Sequence, residues 1–126
     1  MPDLPLADET YVNLATFRRD GREVRTPVWV APSADGTRLV VYTNVNSGKV
    51  KRIRNGGRVR LAACNARGAV RGDWIEGAAR VLDDPDEREA ALGAMVRKYS
   101  LQMRVALALS KLTGRYAQRA ALEISV

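Results

Sequence analysis

Histidine is absent from this 126-residue sequence, and Cys64 is its only cysteine. Lacking histidine, the chain has neither the commonest metal ligand nor the usual general base near neutral pH. One cysteine excludes intramolecular disulfides and cysteine-cluster metal sites, so no metal is expected. No apolar run approaches the roughly 18 residues of a membrane span. The opening Met1-Pro2-Asp3-Leu4-Pro5 is acidic and lacks the basic and apolar regions of a signal peptide. A cytoplasmic location without a membrane partner is the expectation. If such a chain is an enzyme, its hard chemistry belongs to a bound cofactor.

What is present is ordinary in amount and uneven in placement. Apolar residues make up 46% and charged residues 28%, usual for a globular protein. The length suits one domain over residues 1–126 with a real core. The formal charge is +7. Between Gly36 and Gly72 stand nine cations (Arg38, Lys49, Lys51, Arg52, Arg54, Arg58, Arg60, Arg67, Arg71) and no acid. The acids gather at the N-terminus and between Asp83 and Glu89. Such a region is built to meet an anion: nucleic acid, an acidic membrane surface or a phosphorylated small molecule. A nucleic-acid surface would interleave aromatic residues with its cations for stacking. From Lys49 to Arg71 there is no aromatic residue, which weighs against nucleic acid.

Alternation at Val12, Leu14 and Thr16 predicts a strand over residues 11–17, and Asp20-Gly21 a hairpin turn. The return strand runs over residues 24–31, where Pro27 argues for an edge or a bulge. Asp35-Gly36 makes a second turn, and a third strand follows over residues 38–43. Residues 47–55 read as a helix closed by Gly56-Gly57. At about 100° per residue, Val50 and Ile53 share its apolar stripe, with Lys49 and Arg52 on one flank and Lys51 and Arg54 on the other. Further strands are predicted over residues 59–64, 74–81 and 121–126. Asp84 and Pro85 start a helix as N-cap and first residue, with Ala91, Leu92, Met95 and Val96 on its apolar face. A second helical stretch spans residues 101–112, and a short helical turn residues 4–9. Hairpin-linked strands with few helices predict a mainly β fold, an antiparallel sheet curled into a small barrel.

The most informative stretch joins the third strand to the first helix, Thr43-Asn44-Val45-Asn46-Ser47-Gly48-Lys49-Val50-Lys51-Arg52-Ile53-Arg54. A polar turn at a helix start leaves backbone N–H groups free, and with the helix dipole and nearby lysines they suit a phosphate. The competing reading is a solvated basic helix face.

Taken in order, Tyr11-Val12-Asn13-Leu14-Ala15-Thr16, Val24-Arg25-Thr26-Pro27-Val28-Trp29-Val30, Tyr42 through Asn55, and Gly72-Asp73-Trp74-Ile75-Glu76-Gly77 resemble the pyridoxamine-phosphate-oxidase-like split β-barrel superfamily. Within it the chain is most similar to the actinobacterial flavin/deazaflavin oxidoreductases of the B type, the PPOX-class F-420-dependent oxidoreductases. The resemblance covers residues 8–126. It implies a homodimer of FMN-binding-like split barrels with cofactor sites at the subunit interface. The implied cofactor is coenzyme F-420, with FMN the alternative. By position, Thr26, Pro27, Val28 and Trp29 would lie along the tricyclic ring. Thr43, Ser47, Lys49 and Lys51 would hold the phosphate, with Arg54 a further candidate. Asn65, Ala66 and Arg67 would approach the ribityl chain or the phosphate, and Trp74 would sit near the site.

The function so implied is hydride transfer from reduced F-420 to an unsaturated, planar, apolar small molecule. The substrate and the catalytic residues are left open, and water, Tyr42, Tyr11 or the substrate itself could supply the proton. The alternatives are an FMN-dependent member of the superfamily and a protein that holds F-420, FMN or a tetrapyrrole without turnover. The long anion F-420 suits nine cations better than FMN does. Structural roles compete at several positions: core packing for Trp29 and Trp74, a small buried hydrophobe for Cys64, and core or dimer contact for residues 101–112.

Overall fold

The computed structural model describes residues 4–44, 48–99 and 119–126. Its elements, in chain order, are β1 (Tyr11–Phe17), β2 (Glu23–Val28), β3 (Ala31–Pro32), β4 (Leu39–Asn44), α1 (Gly48–Asn55), β5 (Arg58–Cys64), β6 (Ile75–Leu82), α2 (Pro85–Tyr99) and β7 (Arg119–Ser125). The expected helix over residues 101–112 lies outside the described residues.

All seven strands form one antiparallel sheet in the order β2-β1-β5-β6-β7-β4-β3. Its two edge strands, β2 and β3, are consecutive in the chain and only Trp29 and Val30 separate them. A sheet whose outermost strands are joined by two residues must curl until its edges nearly meet. The right-handed twist of strands allows this closure, and a split barrel results.

That closure explains why the predicted strand over residues 24–31 is interrupted. Val30 leaves the ladder to cross from one edge to the other, and its backbone finds other partners. Its N–H donates to the Tyr99 hydroxyl at 3.0 Å, and its carbonyl accepts from Lys98 Nζ at 2.6 Å. Pro27 sits on edge strand β2, opposite Asn13 of β1, where a missing ladder donor is tolerated.

The barrel interior is filled by alternate residues of the strands: Val12 and Leu14, Leu39 and Val41, Val59 and Leu61, Leu122 and Ile124. Each full burial of such a side chain contributes about 1.5–3 kcal/mol. Helix α1 closes one end of the barrel with Val50 and Ile53, both buried, and contacts β1 and β6. It stops where Gly56 N–H reaches the Arg52 carbonyl at 3.1 Å. Helix α2 covers the outer face of the far half of the sheet. There Ala91, Leu92, Ala94 and Met95 meet Val40, Leu82 and Ala121. Asp84 Oδ1 accepts the Asp86 N–H at 3.2 Å, the N-cap that the sequence predicts. Among the described residues no helix is long and apolar enough to cross a membrane.

Candidate functional site

The sequence-predicted site residues fall at two levels along β1. The first is the barrel end closed by α1. Strand alternation puts Thr43 on the same face as Leu39 and Val41, half-buried at the end of β4. Lys49 follows in the first turn of α1, also half-buried, and no carboxylate lies within ion-pair reach of it among the described residues. Burial first, and then the charge of Arg52, push its pKa below the usual lysine value. A partly desolvated ammonium without a counter-ion is unfavourable, and an anion bound there would offset that cost.

Lys51 is exposed and stands about 200° around the helix from Lys49, so the two lysines do not converge by their side positions. Arg54 is committed elsewhere: its Nη2 and Nη1 donate to Asp83 Oδ1 and Oδ2 at 2.8 and 3.1 Å. That bidentate bond raises the Arg54 pKa and lowers that of Asp83. Ser47 lies outside the described residues. A contact absent from the sequence reading ties this end together, in which Arg52 Nε donates to Thr16 Oγ1 at 2.6 Å.

The second level is at the opposite ends of β1, β2 and β5. The turn after β5 is shaped by Asn65, whose Oδ1 accepts the N–H groups of Arg67 at 2.9 Å and Ala69 at 3.0 Å. The Asn65 side chain is thereby used within the turn, while Ala66 and Arg67 stand exposed at its tip. The Pro27 ring packs beside Gly68. Asn13, only 5% exposed, donates from Nδ2 to the Gly68 carbonyl at 2.8 Å. This bond docks the turn that carries residues 65–67 on the sheet beside Pro27. Asn13 Oδ1 is buried without a partner among the described atoms. An asparagine set between Val12 and Leu14 was the available signal for Asn13. Thr26 and Val28 point to the other face of β2, half-buried, with Val28 against the barrel core.

The two tryptophans have packing partners. Trp29 stacks on Tyr99, with ring centroids 4.6 Å apart and planes 12° from parallel. Trp74 lies against two guanidiniums, Arg25 at 4.6 Å and Arg60 at 5.0 Å from its ring centroid. Glu23 accepts from both arginines. Cys64 is fully buried, and burial raises its thiol pKa, which suits a packing role. The described residues contain no cluster of metal-ligating side chains.

Thr16 lies three positions along β1 from Asn13, so about 10 Å divides the two levels. The chain therefore offers a half-buried cation at one level and, at the other, an edge strand beside an exposed turn.

Comparison with known proteins agrees with this architecture. A conserved hypothetical protein from Mycobacterium tuberculosis superposes with a TM-score of 0.68 at 20% identity, over 98% of this chain and 79% of that one. A heme storage protein from Vibrio cholerae gives 0.65 at 10% identity, over 94% and 82%. A FAD-binding protein from Mesorhizobium loti gives 0.56 at 18% identity, over 96% and 82%. A search of curated proteins finds no match. At such identities these likenesses speak for the fold alone. The sequence itself is matched by the family model for pyridoxamine 5'-phosphate oxidase over residues 4–125, a span that holds every strand and helix named above, and so the chain belongs to that family.

Proposed function

We propose that this chain is a reductase that binds a phosphorylated flavin-type cofactor, coenzyme F-420 in preference to FMN, and reduces a planar, unsaturated small molecule. The observation that carries this reading is Lys49, a half-buried cation without a carboxylate partner among the described residues, at the junction of β4 and α1. Lys49 binds the phosphate, with Thr43 and Ser47. About 10 Å along β1, strand β2 forms a sheet edge. Edge strands carry backbone N–H and C=O groups with no ladder partner, and those of Thr26 to Val28 bind the polar rim of the ring. Arg67, at the tip of the neighbouring turn, approaches the linker between ring and phosphate. A second copy of the chain completes the site as a homodimer.

When bound, the reduced cofactor supplies a hydride. The chain's own part is orientation and charge placement. With no histidine in the sequence, no side chain has an unperturbed pKa near neutrality, and the proton comes from water, a tyrosine or the substrate.

Fluorescence titration of the apoprotein with F-420 and with FMN tests the reading. Micromolar binding of F-420 and weaker binding of FMN are expected. Lys49→Ala should weaken binding by about tenfold or more, since a charge-assisted bond contributes about 1.5–3 kcal/mol. Arg54→Ala, which removes a charge already committed to Asp83, should change affinity less than about twofold. Equal effects of the two substitutions would remove Lys49 as the anchor. Turnover of the reduced complex against a panel of quinones and enones separates a reductase from a protein that only stores the cofactor.

A further inference from the structure

Arginines over much of the barrel surface meet carboxylates: Arg54 meets Asp83 at 2.8 Å, Arg58 meets Glu76 at 2.9 Å, and Arg80 meets Glu123 at 3.0 Å. The surface beside helix α1 departs from that pattern. The turn between β1 and β2 and the outward side of α1 enclose an open cleft of about 440 Å³. Arg18, Arg19 and Arg22 form one wall, and Lys51 and Arg52 the other. The one carboxylate of the lining, Asp20, is held by Arg22 at 2.8 Å. Arg18, Arg19, Lys51 and Arg52 have no carboxylate within ion-pair reach among the described residues.

The cleft is also held in shape. Arg52 is fixed by its bond from Nε to Thr16 Oγ1 at 2.6 Å. Its guanidinium lies across the start of α1, where a Cβ on Gly48 would come within 2.6 Å of Nη1. Burial and the neighbouring Arg18 both disfavour the charge of Arg52. Like charges kept together in this way favour a bound anion. The two walls belong to different elements, so one small anion can neutralise only part of the lining, whereas a run of anionic groups reaches both. Guanidiniums match phosphate oxygens in pairs, and the cleft falls within the usual size of small-molecule sites.

We propose that this cleft binds a small oligophosphate, a molecule with two or more linked phosphate groups. The site is separate from the Lys49 anchor and stands whether or not the cofactor reading holds. The oligophosphate is either free, as in a nucleoside polyphosphate, or the diphosphate extension of a flavin.

Calorimetric titration of the whole protein with tripolyphosphate, in a buffer without phosphate, tests the proposal. One saturable site is expected, with inorganic monophosphate binding at least about tenfold more weakly. Both Arg18 and Lys51 are exposed, so the variant carrying Arg18→Ala and Lys51→Ala should keep its melting temperature and lose tripolyphosphate binding by about tenfold or more. Lys49→Ala should leave that binding within about twofold, because Lys49 does not line the cleft. Tripolyphosphate binding that persists in protein saturated with FMN identifies a free ligand. Loss of FAD affinity with unchanged FMN affinity in the double variant identifies the flavin extension. The proposal is overturned if tripolyphosphate shows no saturable binding, if the double variant binds it as wild type does, or if Lys49→Ala abolishes binding. It is equally overturned if a short single-stranded oligonucleotide displaces tripolyphosphate at far lower concentration, which would make the cleft a nucleic-acid surface.

Discussion

Lys98 and Tyr99, the last two residues of α2, fasten parts of the chain that are far apart in sequence. Lys98 Nζ donates to the carbonyls of Ala7, Glu9 and Val30 at 2.5 to 2.6 Å. The Tyr99 hydroxyl accepts the Val30 N–H at 3.0 Å, and its single proton is shared between the carbonyls of Thr10 and Val30 at 2.8 and 2.9 Å. Together they hold the crossing between the two sheet edges in place. Tyr99→Phe leaves the buried Val30 N–H without a partner and should lower stability by about 1–3 kcal/mol, read as a lower urea midpoint. Lys98→Met, which removes the donor to three carbonyls at once, should lower it further. Neither residue signals this role in the sequence. A lysine and a tyrosine at the end of an amphipathic helix look like dipole complement and core edge, and their acceptors lie 68 to 91 residues away.

Among the elements, α1 and its exit are the most tightly constrained. Gly57, just after α1, runs against β6, and its carbonyl accepts the Ala79 N–H at 2.7 Å. A Cβ on Gly57 would lie 2.6 Å from the Ala79 carbonyl oxygen, a backbone atom that cannot step aside, whereas one on Gly56 meets nothing within 4 Å. Gly57→Ala should therefore cost about 1–3 kcal/mol in thermal or urea unfolding, and Gly56→Ala should cost far less. The helix itself was legible from Val50, Ile53 and the glycine pair. Which flank each cation serves was only half legible. Helical angle separates Lys49 from Lys51, but only the fold brings Asp83 to Arg54, the β1–β2 turn to Lys51 and Thr16 to Arg52.

At the scale of the whole molecule, two populations stand out among the positive charges of the described residues. One is tied up in exposed guanidinium–carboxylate pairs, each contributing little to stability. The other surrounds α1, where Lys49 is partly desolvated. Its lowered pKa gives the proposed anchor a pH limit of definite sign. Lys49 binds an anion only while protonated, so affinity for a phosphate-bearing cofactor should fall on the alkaline side, at a lower pH than an ordinary lysine at 10.5 allows. The bound anion favours the charged form and moves the fall upward. Titrations with FMN from neutral to alkaline pH should show this decline in wild type and lose it in Lys49→Arg, whose guanidinium stays charged. A decline that persists in Lys49→Arg would assign it to another group.

The sequence by itself determined the local elements. Apolar alternation set β1, Asp84 and Pro85 set the start of α2, and the two Asx-Gly turns set the hairpin reversals, because each depends on neighbours within a few residues. It also set the chemistry on offer, a basic chain without histidine. The tertiary structure alone decided that β7 lies between β6 and β4, that Trp29 stacks on Tyr99, and that the Asn65 turn docks beside Pro27 through Asn13. It also decided which cations were left without an acid. Those outcomes come from pairings across tens of residues, where curling the sheet selects one partner among many and local sequence carries no preference.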